Sequence, residues 1–63
     1  MITPAEHAEA LAWVRSEIAR LLGFTFHNVE RVRSLTFAEA ILTRHFNDAD
    51  ATDALAFVKA VRG

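Results

Sequence analysis

Between Thr3 and Gly23 the chain runs through nineteen residues, Pro4 to Leu22, with no helix breaker inside the run. Thr3-Pro4-Ala5-Glu6 is a helix start. Thr3 can accept a hydrogen bond from a free backbone N–H, Glu6 can reciprocate three residues on, and Pro4 occupies the first helical position, where its missing N–H costs nothing. Gly23 is a residue that can turn left-handed and end a helix. The sequence therefore predicts a helix over 4–22. Leu11, Val14, Ile18 and Leu21 recur on it at steps of three and four, flanked by Ala8 and Leu22, which makes one apolar stripe. The stripe has a coiled-coil rhythm reaching back through His7 and Pro4, but two heptads are too few for a coiled coil.

The remainder is punctuated by weaker signals. Phe24 and Phe26 alternate with polar residues, as in a strand, yet no second segment offers a pairing edge. A connecting loop whose two rings plug the core is expected over 24–28. Residues 29–34 then read as a short helix capped by Asn28, with Val29 and Val32 inward. Thr36-Phe37-Ala38-Glu39 repeats the capping-box pattern and predicts a helix over 36–46, with Phe37, Ile41, Leu42 and Phe46 apolar. Asn47 to Asp50 break it. A last helix over 51–62 opens at Asp50 or Thr52 and closes at Gly63. Its expected stripe is Ala54, Phe57, Val58 and Val61, with Leu55 at the edge, and Lys59 and Arg62 suit the negative end of its dipole. The expected fold class is all-α: a small bundle of three main helices, with a short additional one at 29–34, in one domain over 1–63.

A chain of 63 residues with 52% hydrophobic residues can fold, but many of those residues are alanine. A core of this size supplies only about 3–5 kcal/mol. With no cysteine, neither a disulfide nor a thiolate metal site is available. Self-association is the cheapest remaining route to stability, so a homodimer is expected to complete the bundle. The net charge of -1 gives no basic field for a phosphate backbone. No signal-peptide pattern or membrane-spanning run is present, which places the expected protein in the cytoplasm.

Trp13 is the residue that fits least well. On a helical wheel it lies about 160° from Leu11, among Glu6, Glu17 and Arg20. Either the Phe24–Phe26 segment or the last helix folds over it, or its ring belongs to a partner-binding face. The second reading assigns Trp13, Glu17, Arg20 and Phe24 to a contact surface through which helix one self-associates. His45 falls in the apolar arc of the 36–46 helix and reads first as a histidine bonded to a carbonyl. His7 lies on the helix-one seam and His27 in the loop, but the three are not spaced as a metal motif, and no metal or cofactor is expected. Asp48-Ala49-Asp50-Ala51-Thr52 resembles the start of a calcium loop. Asp53 then stands where glycine is needed and Lys59 where a bidentate glutamate is needed, so these acids read as helix caps.

Catalysis has little to stand on. Neither Ser16 nor Ser34 sits in a nucleophile elbow, and no glycine-rich phosphate loop exists. The functional expectation is a protein–protein interaction module of adaptor or inhibitor type, pairing with itself and with a larger protein as the further partner class. The competing expectation is a DNA-binding regulator of helix-turn-helix type using Arg31, Arg33 and Arg44, which the acidic balance and the short connection at Leu35 disfavour.

Overall fold

The computed structural model describes residues 2–63 as three helices, α1 (Pro4–Leu22), α2 (Val29–Arg44) and α3 (Ala49–Arg62), joined by short connections. Thr3 caps α1 as its sequence predicts: the extended residue accepts the Glu6 N–H on its hydroxyl at 3.1 Å. The other end differs. Gly23 stays right-handed (φ -74°), and α1 closes with tight i to i+3 bonds from the Gly23 and Phe24 N–H groups to the Arg20 and Leu21 carbonyls, both 3.2 Å. Left-handed geometry is found instead at Asn47, φ 58°, in the α2–α3 connection. Asparagine tolerates that region better than most side chains. The Asn47 amide oxygen also accepts the Ile2 N–H at 3.1 Å, which ties the N-terminal segment to the connection.

The expected break at Leu35 does not occur. The two segments predicted over 29–34 and 36–46 are one continuous helix, α2, capped by Asn28 through the Arg31 N–H. Thr36 is not a cap but an interior residue whose hydroxyl donates to the Val32 carbonyl at 2.7 Å. The same Ser/Thr-x-x-Glu spelling serves both roles, and nothing between Leu35 and Thr36 disfavours helical φ and ψ. α2 ends two residues before the predicted Phe46, with His45 as its extended cap. α3 begins earlier than predicted, because Asp48 rather than Asp50 or Thr52 is its cap, accepting the Ala51 N–H at 2.8 Å.

α2 is the central element; it packs along both α1 and α3, which touch each other least. The core is Ile2, Ala10 and Val14, then Leu35, Ala38 and Leu42, then Ala51, Ala54, Leu55 and Val58. Val14 is fully buried, whereas Leu11, Ile18 and Leu21 of the predicted α1 stripe pack on the core only in part. On α2 and α3 the buried stripes are rotated from their expected positions. Small residues hold several inner stations, and rings expected inside are turned out: Phe37 is 69% exposed and Phe57 36%. Leu55, expected at the edge, is buried.

α3 reaches back nearly to the start of α2 but stops short of the end of α1. Its last turn is held beside the start of α2 by a 3.4 Å hydrogen bond from the Arg31 guanidinium to the Val61 carbonyl. The Arg62 guanidinium lies over the Trp13 ring. Beyond Trp13, α1 continues for about two and a half turns. Phe24 and Phe26, expected to plug the core, therefore sit on an uncovered tip, and Phe26 is 94% exposed.

Candidate interaction surface

Each seam between helices has its own chemistry. α1 and α2 are clipped by Arg15 and Glu39 at 3.2 Å. α1 and α3 are clipped twice, by Glu6 with Lys59 at 3.7 Å and Glu9 with Arg62 at 3.2 Å. Among the described residues the seam between α2 and α3 carries no Lys or Arg paired with a carboxylate, and its one charged contact, His45 Nε2 to Asp50 at 3.7 Å, lies at the connection end. The seam opens instead into an apolar groove of about 480 Å³ lined by Phe37, Ala38, Ile41, Ala54 and Phe57, with Arg33, Ser34 and Asp53 on its margin. The helical period explains this grouping. Arg33, Phe37 and Ile41 follow at steps of four on α2, and Asp53 and Phe57 do the same on α3.

The residues singled out on α1 form one stripe, but its polar groups and indole already have partners within the chain. Trp13 is half-buried against the core, with the Arg62 guanidinium 5.4 Å from its ring centroid. Its wheel position is polar, yet α3 folds over it, the first of the two readings its sequence position allows. Arg20 grips Glu17 with two hydrogen bonds of 2.6 and 3.0 Å and lies 5.9 Å from the Phe24 centroid. Those hydrogen bonds hold the Glu17 carboxyl below the usual carboxylate range, and they raise the Arg20 guanidinium. Trp13, Glu17, Arg20 and Phe24 thus make an ordered stripe of which only Phe24 offers a large open apolar surface.

Arg31, Arg33 and Arg44 are not gathered. Arg31 is engaged with the Val61 carbonyl, Arg33 borders the α2–α3 groove, and Arg44 ends α2. On the wheel Arg31 points about 160° away from Arg33. With Leu35 buried inside an unbroken helix, no turn separates the 29–34 segment from the 36–46 segment.

The histidines divide between the two ends of α2. The His7 Nε2–H donates to the Leu42 carbonyl at 2.6 Å and lies 3.1 Å from the His45 carbonyl, so its ring satisfies the C-terminus of α2 from the neighbouring helix. Both partners are acceptors, which fixes the proton on Nε2. The Phe46 ring packs edge-on against His7 at 5.1 Å. His45 is not in the core arc expected for it; its Nδ1 meets Asp48 at 2.8 Å in the connection. His27 lies in the α1–α2 connection beside the Phe24 carbonyl. Among the described residues no three His, Cys, Asp or Glu side chains are arranged around a common metal position. No helix is long and apolar enough to cross a membrane.

The groove itself was missed in the sequence because Phe37 and Phe57 look like core residues. The available signal was the competing register: Ala51, Ala54, Leu55 and Val58 also follow helical spacing, and choosing that stripe turns Phe57 outward. The chain matches no protein-family model, no curated protein and no solved structure.

Proposed function

We propose that the protein is a small protein–protein interaction module that pairs with a second copy of itself through the α2–α3 groove. One observation carries this reading: Phe37 and Phe57, from two different helices, are turned away from the core onto the same groove. Aromatic side chains in a shallow apolar depression with a polar margin are the usual makings of an interface centre. The small core favours this reading, since association would add stability to a 63-residue chain whose own core contributes little. The site of contact moves from α1, where the sequence directs attention, to α2 and α3, because the α1 stripe is largely occupied by Arg62 and by the Glu17–Arg20 pair.

The test is the double variant Phe37→Ser, Phe57→Ser, compared with the parent by thermal melting over a hundredfold range of concentration. The parent melting temperature should climb with concentration and the variant's should stay flat at unchanged helical content. A flat parent curve, or a variant that still climbs, contradicts the proposal.

A further inference from the structure

We infer that the two copies meet about a two-fold axis that sets Arg33 of each against Asp53 of the other, on either side of a centre formed by Phe37 and Phe57; this rests on the self-association proposed above. Phe37 stands eight residues before the 45–48 connection and Phe57 nine after it, so in an antiparallel pair of helices the rings lie at one level. Arg33 is one turn beyond that level on the α2 wall, and Asp53 is one turn short of it on the α3 wall. The two charges therefore occupy diagonal corners of the groove with the rings between them.

Their chemistry sets them apart from the other charges at the seams. Arg15, Lys59 and Arg62 are each spent on a carboxylate of another helix. Arg33 and Asp53 form no ion pair with the described residues, although both border the groove. A cation and an anion at opposite corners of an apolar patch make that patch self-complementary. In a two-fold interface, whatever residue i does to residue j, j does to i. An axis midway between the corners exchanges them, so one operation forms two ion pairs and stacks the apolar centres. The occupant that fits this pattern is a second copy of the chain, since it brings the matching anion and cation at the matching spacing.

The test is a charge-reversal cycle read by sedimentation equilibrium, with circular dichroism confirming helical content. Arg33→Glu alone and Asp53→Arg alone each place like charges across the interface, and each should raise the dimer dissociation constant by about tenfold or more. The double reversal restores opposite charges and should return to within about threefold of the parent. Should Asp53→Arg disturb the start of α3, Asp53→Asn gives a milder weakening on a fold that keeps its polar surface. A parent dimer indifferent to every reversal, or a double variant no tighter than the singles, overturns this pairing. If Phe37→Ser still dissociates that dimer, self-association through the groove stands without it. A parent that is monomeric at millimolar concentration removes both.

Discussion

Trp13 shows how a residue's wheel position can mislead. Its neighbours in sequence are charged, but the ring is half-buried because α3 brings Arg62 across it while Glu9 steadies the guanidinium at 3.2 Å. A cation over an indole contributes about 0.5–1 kcal/mol at a partly exposed site. Trp13→Ala should therefore lower stability by about 1–3 kcal/mol, less than the loss of a fully buried aromatic, while leaving the concentration dependence of association unchanged. Denaturant unfolding of the variant measures the first part and sedimentation the second. A variant of parental stability that no longer associates would put the contact surface back on α1. His7 shows the same economy, since its one Nε2–H serves the free carbonyl end of a different helix.

At the scale of the element, the start of α3 carries a cap that responds to acid. The Asp48 carboxyl is held below the usual carboxylate range, first by the Ala51 N–H and then by the His45 ring. A carboxyl whose folded pKa is depressed gives stability that is present above its unfolded pKa and lost as pH falls through the folded one. Thermal melts between about pH 5 and pH 2 should show this loss in the parent. Asp48→Asn, which keeps a capping acceptor but cannot titrate, should melt lower near neutrality and show a shallower decline in acid. An unchanged acid slope in that variant would mean the cap does not govern the transition. The ends of helices were the most legible features of this sequence when polar caps stood alone, as at Thr3 and Asn28. They were least legible where a cap motif lies inside a helix, as at Thr36, whose hydroxyl bonds backward to Val32. Register was harder still. On α3 two interleaved apolar stripes compete, and only packing against α2 decides that Leu55 turns in and Phe57 turns out. The groove followed from that decision, which explains why local spelling alone did not reveal it.

The whole molecule measures 38 × 22 × 18 Å, with a radius of gyration of 11.5 Å. A spherical domain of this length would have about 10.6 Å. The excess has a visible source, the last turns of α1 and the connection after it, which run on past the end of α3. Its surface of 4359 Å² likewise exceeds the roughly 4,000 Å² of a compact 7.0 kDa monomer. Much of the apolar exposure falls on the α2–α3 groove and on the Phe24–Phe26 tip, so a single chain leaves a substantial part of its aromatic surface in water. Pairing two chains through the groove withdraws Phe37 and Phe57 from solvent and leaves the tip free. Sedimentation equilibrium of the parent chain from micromolar to millimolar concentration tests this most directly. The mass should rise from 7.0 kDa towards twice that value and level there. A constant 7.0 kDa across the range would show that the monomer tolerates its exposed rings unaided, and growth without a plateau would show that the groove does not close on a single partner.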